Sequence, residues 1–204
     1  DAAVSMPDSP AGNTYDKYAS SNPIERRMMQ GFFAALDACV DGLAPTAVLE
    51  VGCGEGEVLE RMIGTFPAAR VAGIDLHDER LLAEWAERGL PAKVGDINAI
   101  DAADGEYDLV LAIEVLEHVP EPERALREIA RVCRGQVVLS VPREPIWRIG
   151  NMARGRYLRQ LGDTPGHVNH WSAGSFRRLV ARHFDVEQVR RPLPWTMIRA
   201  AVRR

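Results

Sequence analysis

The sequence predicts a doubly wound α/β fold, in which helices cover both faces of a mostly parallel β-sheet. Two observations lead to this prediction. Short apolar segments with strand character alternate along the chain with amphipathic helical segments, as in proteins whose parallel strands are joined by right-handed helical crossovers. Some strand segments, such as "LVLAI", are apolar throughout, which is expected when a strand is buried on both faces of the sheet.

The N-terminal part of the chain is predicted to consist of a tail and one helix. Residues 1–13 are small, polar and interrupted by Pro and Gly, and we expect a disordered tail there. A helix is predicted in "SNPIERRMMQGFFAALDACVDGL", with Ser21 or Asn22 as its cap and Pro23 in its first turn. Apolar residues then recur at helical spacing: Ile24, Met28, Phe32 and Leu36.

The rest of the chain alternates between strand and helix patterns. Strands are predicted in "AVLEVG", "RVAGIDL", "AKVGDI", "YDLVLAIEV", "QVVLSV", "DVEQVRR" and "WTMIRAAVR". Helices are predicted in "GEVLERMIGTF", "DERLLAEWAERG", "EPERALREIARVC" and "SAGSFRRLVARHF". Little chain separates the last two strands, so we expect them to pair antiparallel. The segment "PREPIWRIGNMARGRYLRQLGDTPGHV" has no clear periodicity.

Composition limits the class of protein. The 204 residues fit one domain, and 46% hydrophobic with 26% charged residues is ordinary for a globular protein. No apolar run approaches the roughly 20 residues of a membrane-spanning helix. Cys39, Cys53 and Cys133 are widely separated, which suits free thiols in a reducing compartment, so we expect a cytoplasmic protein. The net charge of −4 argues against a dedicated nucleic-acid-binding protein.

The first strand-to-helix turn, "LEVGCGEGE", is the first place to look for a ligand in such a fold. Its Gly52, Gly54 and Gly56 permit a tight turn and a close approach of ligand to backbone. A dinucleotide-binding loop would need glycine at position 57, which is a glutamate. The turn carries three carboxylates: Glu50, Glu55 and Glu57. They would repel a pyrophosphate but tolerate an ammonium and a sulfonium, so both spacing and charge exclude NAD.

From about Val48 to Val141 the sequence resembles the class I S-adenosylmethionine-dependent methyltransferases. "VLEVGCGEG" is similar to their first motif, and "YDLVLAIEVLEHV" is similar to the motif at their fourth strand. The resemblance implies a Rossmann-like seven-stranded sheet with an antiparallel last strand, and S-adenosylmethionine as the cofactor. It further implies that Asp75 binds the ribose hydroxyls, that Asp96 contacts the adenine amino group, and that Glu114 borders the methionine end. The remaining expected cofactor-binding residues are Glu50, Gly52, Gly54, Gly56, Leu76 and Ile97.

A second cluster, "EVLEH", follows the fourth strand and contains Glu114, Glu117 and His118. If the chain becomes helical there, positions i, i+3 and i+4 share one face and place two carboxylates and an imidazole beside the methyl donor. With a further ligand from "GHVNHWS", this set suits a divalent cation. Oxygen-rich ligation without cysteine favours Mg²⁺ or Mn²⁺ over Zn²⁺.

The same cluster resembles the ubiquinone-biosynthesis O-methyltransferases and the small-RNA terminal 2′-O-methyltransferases, which pair a Glu-x-x-Glu-His stretch with a downstream histidine. The resemblance implies that His170 completes a metal site with Glu114, Glu117 and His118, and it leaves His167 unassigned. In the alternative interpretation no metal is bound, and Glu117 and His118 contact the acceptor or cap a helix. The catalytic base would then be His118, His167 or His170, because imidazole titrates nearest to neutral pH.

Residues 142–171 are expected to form an acceptor-binding insertion, because class members insert acceptor-binding elements after the fifth strand. This segment interleaves arginines and aromatics, namely Arg143, Arg148, Arg154, Arg156 and Arg159 with Trp147 and Tyr157. Such side chains bind anions and stack on rings, although a solvated helix face is an alternative interpretation. Residues 14–45 are expected to form an N-terminal helical lid, so that residues 14–204 constitute a single methyltransferase domain.

The sequence accordingly predicts an O-methyltransferase that acts on a hydroxyl of a small molecule, such as a saccharide or a quinone precursor. The donor is already activated, so the enzyme has mainly to orient and deprotonate the acceptor, and a bound cation assists both. One alternative is an RNA 2′-O-methyltransferase, which the metal motif and the arginines favour and the acidic net charge disfavours. Another is an inactive binding domain, against which the intact "GCGEG", Asp75 and Asp96 argue. A homodimer is compatible with the sequence.

Overall fold

A seven-stranded sheet of strand order β3-β2-β1-β4-β5-β7-β6 forms the centre of the fold. The computed structural model describes residues 22–153, 155 and 160–203. The strands are β1 (Ala47–Val51), β2 (Arg70–Asp75), β3 (Ala92–Val94), β4 (Tyr107–Ile113), β5 (Cys133–Pro142), β6 (Phe184–Arg190) and β7 (Trp195–Val202). The helices are α1 (Pro23–Val40), α2 (Glu57–Thr65), α3 (Glu79–Arg88), α4 (Pro122–Val132), α5 (Ile146–Ala153) and α6 (Ala173–His183).

The pairing of the strands confirms the predicted topology. Strand β7 runs antiparallel to both of its neighbours, β5 and β6. The other strand pairs in the described part of the chain are parallel. The parallel strands therefore end at one edge of the sheet, the carboxyl edge, where ligands of such folds bind.

Strand β4 is buried on both faces, as its unbroken apolar sequence predicts. Leu109 and Leu111 face an apolar layer that includes α1 and α2. Val110 and Ala112 face the opposite layer, which includes α4 and α6. Successive side chains of a strand point to opposite faces, so a strand between two helical layers needs an apolar residue at every position.

Helix α1 begins as predicted, with the Asn22 side chain accepting a hydrogen bond from the backbone N–H of Ile24 at 2.9 Å and Pro23 in the first turn. Phe32 and Leu36 are buried against the sheet. The helix is therefore a layer of the core, and the lid expected for residues 14–45 stays a prediction. The predicted tail and the start of the predicted lid lie outside the described residues.

Helix α5 lies within the segment for which the sequence shows no periodicity. Ile149 and Met152 on this helix are exposed. The helix therefore lacks the buried apolar face whose periodicity would allow its prediction from the sequence. It is anchored instead by a polar residue, since the buried side-chain amide of Asn151 donates to the Gly162 carbonyl at 2.9 Å. Of the arginines and aromatic residues expected to bind the acceptor, Arg154, Arg156, Tyr157 and Arg159 lie outside the described residues.

Among the residues that the structure describes, no helix is both long and apolar enough to cross a membrane. The three cysteines are free and buried, which confirms that they do not form a disulfide framework.

Asp108, on β4, joins three strands through one carboxylate. Its Oδ2 accepts hydrogen bonds from the backbone N–H groups of Thr46 and Ala47 at 2.8 and 3.0 Å and from the Thr46 hydroxyl at 2.5 Å. Its Oδ1 accepts from Nε of Arg134 at 2.6 Å. Burial alone would raise the pKa of Asp108, but the hydrogen bonds from Arg134 and Thr46 outweigh it and hold the pKa well below the usual range.

We expect Asp108→Asn to lower the free energy of unfolding by about 1–3 kcal/mol at pH 7, because the charged hydrogen bonds are weakened. A carboxyl whose pKa is depressed on folding stabilises the protein above its unfolded pKa of about 3.9, and this stability is lost as the pH falls through the folded pKa. Urea unfolding from pH 7 downwards should therefore show a shallower acid dependence for the variant. Asp101→Asn, at a highly exposed carboxylate, is the control; an unchanged acid dependence of Asp108→Asn would contradict the assignment.

Candidate functional site

The glycine loop, residues 52–56, has the tight turn that the sequence predicts. Gly52, Gly54 and Gly56 have φ values of 73°, 50° and 93°, in the left-handed region that other residues rarely adopt. A Cβ atom at Gly52 would also lie 2.3 Å from the side chain of Val115. The loop therefore requires glycine both for its backbone conformation and for the space beside it.

Asp75, at the end of β2, faces the glycine loop. Its Oδ2 accepts a hydrogen bond from the backbone N–H of Gly54 at 2.7 Å, and its Oδ1 accepts one from the N–H of Leu76 at 2.7 Å. Burial raises the pKa of Asp75, and the two backbone hydrogen bonds oppose that rise. The bonds orient the carboxylate and leave each oxygen a second lone pair, which fits an acceptor for two ribose hydroxyls.

The residues expected to hold the adenine follow directly after β2 and β3, which are neighbours in the sheet. Asp96 is exposed, and its Oδ1 accepts hydrogen bonds from the backbone N–H and the side-chain amide of Asn98 at 2.8 and 3.1 Å. Its second oxygen remains for a ligand. Leu76 leaves 44% of its surface exposed, whereas Ile97 is buried. The exposed leucine that follows Asp75 provides an apolar surface for a flat ring.

Glu50 is the carboxyl most deeply buried near the loop. It lies on β1, is 2% exposed, and its Oε2 has no hydrogen-bond partner among the described residues. Burial raises the pKa of Glu50 well above its usual value, and the charge of Asp75 adds to the effect. A buried carboxyl oxygen without a partner fits a cofactor that brings an ammonium group, so the residues present fit S-adenosylmethionine.

Glu114 follows β4, and its side chain is fixed by β5 and β7. Its Oε1 accepts from the Ser140 hydroxyl at 3.0 Å, and its Oε2 accepts from the indole N–H of Trp195 at 2.6 Å. Its φ of 60° is not helical, and a short 3₁₀ turn begins only at Leu116. The expectation that Glu114, Glu117 and His118 share one helical face is therefore wrong, because the helical geometry starts after Glu114.

The histidine loop, residues 163–171, folds back onto the 3₁₀ turn Leu116–His118. The backbone N–H groups of Asn169 and the residue before it donate to the Glu117 carbonyl at 3.1 and 2.8 Å. The Asn169 side-chain amide also donates to the Val119 carbonyl at 2.6 Å. The asparagine of "NHWS" thus anchors the loop, and this anchor brings distant histidines to the carboxyl edge.

Two groups of possible metal ligands occur among the described residues, and they share one histidine. The first is Glu117, His118 and His167, and the second is Asp163, His167 and His170; within each, the ligand atoms lie within 4.8 Å of one another. The rings of His118 and His167 meet edge to face with centroids 4.8 Å apart. Nδ1 of His118 donates to the Gly166 carbonyl at 3.0 Å, because a carbonyl can only accept. In the neutral form of this imidazole Nε2 is then the nitrogen that can bind a metal, the arrangement that metal-bound histidines adopt.

His170 takes a different position from the one expected. Its Nε2 lies 2.7 Å from Oδ1 of Asp163 and 3.0 Å from Nη2 of Arg148. The other oxygen of Asp163 receives Nη2 of Arg148 at 2.9 Å. Glu117 and His118 do lie together as expected, but the histidine beside them is His167, and Glu114 belongs to neither group.

An aromatic wall borders these groups. The rings of Trp147 and His167 have centroids 6.2 Å apart, those of Trp147 and Trp195 5.9 Å, and those of Trp195 and Phe32 5.0 Å. Four residues of the site were not predicted from the sequence: Asp163, Ser140, Asn169 and Trp195. Asp163 lies in the aperiodic segment and Asn169 directly follows it, whereas Ser140 and Trp195 have the sequence surroundings of ordinary strand residues, so no local signal marked any of the four.

Comparisons with known proteins agree with this geometry. A family model described as a methyltransferase domain matches residues 24–189. Ubiquinone biosynthesis O-methyltransferases of Pseudomonas paraeruginosa and Thiobacillus denitrificans are 35% and 38% identical to the chain over 129 and 104 residues. These matches cover 59% and 47% of this chain and 55% and 44% of the relatives, so the chain spans about half the length of the curated relatives it matches.

Solved structures share the fold. A SAM-dependent methyltransferase from Aquifex aeolicus aligns with a TM-score of 0.68 and 17% identity, over 89% of this chain and 94% of that one. The magnesium protoporphyrin IX methyltransferase from Synechocystis, solved with bound SAH, aligns with a TM-score of 0.66 and 18% identity, over 90% and 89% of the two chains. At these identities the likeness concerns the fold.

Proposed function

The chain belongs to the methyltransferase domain family and is a class I S-adenosylmethionine-dependent methyltransferase, and we propose that it methylates a hydroxyl oxygen of a small molecule. The observation that carries the proposal is the group formed by Glu117, His118 and His167. This group lies at the carboxyl edge, next in the chain to the carboxylate expected to border the methionine end. Side chains that can bind a cation or remove a proton suit an acceptor that must lose a proton to become nucleophilic.

The donor site consists of the glycine loop with Glu50, Asp75 and Asp96. When bound there, S-adenosylmethionine supplies an electrophilic methyl group on its sulfonium. The ordered carboxylate of Asp75 holds the ribose, and Asp96 with Leu76 holds the adenine. Three glycines let the backbone approach the donor closely, so that position and orientation are set before the acceptor arrives.

The acceptor hydroxyl is activated at the first ligand group. Glu117, His118 and His167 would hold a divalent cation, which would supply Lewis-acid stabilisation of the deprotonated acceptor oxygen. Two imidazoles and one carboxylate form a softer donor set than the oxygen-rich one expected from the sequence, which favours Mn²⁺ over Mg²⁺. Without a cation, Nε2 of His118 is the best placed base, because the hydrogen bond from Nδ1 to Gly166 leaves a lone pair on Nε2.

A small molecule is favoured over RNA as the acceptor. The arginines that favoured RNA in the sequence are partly engaged within the protein, since Arg148 pairs with Asp163 at 2.9 Å. The net charge of −4 also opposes association with a polyanion. Saccharides and dihydroxylated aromatic compounds both offer neighbouring hydroxyl oxygens that one cation can bind together.

The proposal is tested by an acceptor screen with radiolabelled S-adenosylmethionine. The panel contains mono- and disaccharides, dihydroxylated aromatic compounds, and a short RNA with free terminal hydroxyls. Each reaction is run as purified, with EDTA, and with EDTA followed by excess Mn²⁺ or Mg²⁺. We expect label on a hydroxylated small molecule, lost with EDTA and restored best by Mn²⁺. Label on RNA alone would contradict the small-molecule acceptor and favour an RNA acceptor. Full activity in EDTA would contradict the cation and leave His118 as the catalytic base.

A further inference from the structure

The glycine loop is fixed by a helix that is not expected to touch the donor. With three glycines at positive φ, the loop gains little rigidity from its own side chains, and ordering it costs more conformational entropy than ordering other residues. Its conformation must therefore be maintained by neighbouring groups. Two side chains of α3 supply hydrogen bonds to the loop carbonyls.

Trp85 binds the loop from the interior. Its side chain is 3% exposed and packs with Cys53 and Leu81. Its indole N–H donates to the Gly54 carbonyl at 2.8 Å. A buried indole N–H needs a partner, and a loop carbonyl that gains this bond loses the freedom to rotate.

Arg88, one turn further along α3, binds the next carbonyl. Its Nη1 donates to the Glu55 carbonyl at 2.7 Å. The guanidinium is held by three carboxylates, those of Glu57, Glu60 and Glu84, at 3.0, 2.8 and 2.9 Å. With 23% of its side chain exposed, Arg88 is a fixed rather than a mobile donor, and it also offsets the negative charge at the start of α2.

Gly54 connects these contacts to the donor site. Its N–H donates to Oδ2 of Asp75 at 2.7 Å, while its carbonyl accepts from Trp85 at 2.8 Å. A change in the orientation of this residue would displace the carboxylate that holds the ribose hydroxyls. Trp85 can therefore act on the donor through Gly54 and Asp75.

From this geometry we propose that Trp85 and Arg88 are positioning residues that set the affinity for S-adenosylmethionine by fixing the glycine loop. The proposal rests on the donor site alone and holds whichever acceptor the enzyme uses. The side chains act on the orientation of two loop carbonyls and of Asp75. They are expected to affect donor binding and to leave acceptor binding unchanged.

Calorimetric titration with S-adenosylhomocysteine tests the proposal. Trp85→Phe keeps an aromatic ring but removes the donor N–H, and Arg88→Met keeps an unbranched apolar stem but removes the guanidinium and its hydrogen bonds. Each should weaken S-adenosylhomocysteine binding by about 3- to 10-fold, the equivalent of one lost hydrogen bond. Arg61→Met is the matched control, because Arg61 pairs with Asp37 at 2.5 Å on α1 and does not contact the loop.

A double-mutant cycle separates positioning from general destabilisation. Because Trp85 acts through Asp75, Trp85→Phe should have little further effect on affinity in an Asp75→Asn background. Wild-type affinity in both α3 variants, additive losses in the cycle, or an equal loss in Arg61→Met would overturn the proposal. The Arg88→Met titration decides the matter if the buried Trp85 substitution fails to fold.

Discussion

The His167→Ala variant is expected to lose methyl transfer by about 100-fold or more while retaining wild-type affinity for S-adenosylhomocysteine. His167 belongs to both ligand groups. Its removal therefore disrupts the group with Glu117 and His118 as well as the group with Asp163 and His170. Loss of a metal ligand or of a positioned base typically costs two to four orders of magnitude in rate, roughly. Turnover on an acceptor found in the screen measures the first effect, and calorimetry measures the second.

A control variant and a metal-binding measurement test whether the loss of turnover is specific to the ligand groups. His183→Ala removes a histidine whose ring contacts Glu123 between α4 and α6, and it should retain turnover. Mn²⁺ binding, followed by electron paramagnetic resonance, should be lost in His167→Ala and kept in His183→Ala. If His167→Ala is fully active, neither ligand group contributes to the chemistry. If it is inactive but EDTA-treated wild-type enzyme is not, the imidazole acts as a base or a positioning group without a cation.

The Asp75→Ala variant is expected to bind S-adenosylhomocysteine more weakly by about 1–3 kcal/mol, or roughly 5- to 150-fold. The substitution removes the carboxylate that the N–H groups of Gly54 and Leu76 orient, and with it the acceptor for the two ribose hydroxyls. Isothermal titration calorimetry gives the affinity directly, without dependence on an acceptor.

Asp185→Ala is the control for this measurement. Asp185 lies at the start of β6, at the opposite end of the sheet from β2, and pairs with Arg203 at 3.0 Å. It should leave the affinity unchanged. An unaltered affinity in Asp75→Ala, with thermal unfolding showing an intact fold, would remove Asp75 from the donor site and with it the interpretation of the glycine loop.

Much of the fold was predictable from local patterns. The strands and most of the helices were predicted from their apolar periodicity. Helix α1 was also predicted from its cap at Asn22 and the proline that follows. Helix α5 was not predicted, because Ile149 and Met152 are exposed and its anchor is the amide of Asn151. Local periodicity reports burial against a core, so an element held by polar contacts to a loop leaves little trace in it.

The candidate site divides in the same way. The glycine spacing and the strand-end carboxylates Asp75 and Asp96 could be read from the sequence, because a parallel sheet brings the ends of its strands to one edge. The choice of His167 rather than His170 as the neighbour of His118 could not be read. It depends on the hydrogen bond between Asn169 and Val119, which are fifty positions apart in the chain. It also depends on the contact between His170 and Asp163 within the histidine loop.

The sequence by itself predicted the class of fold, and its resemblance to the class I methyltransferases predicted the donor. The strand and helix patterns suffice for the fold class because they depend on residues that are close together in the chain. The tertiary structure alone decided that α1 is a layer of the core, that Glu114 is held by Ser140 and Trp195, and which histidine joins Glu117. Each of these outcomes is a choice among partners that are distant in the chain, and only packing in three dimensions, which satisfies buried polar groups together, selects one of them.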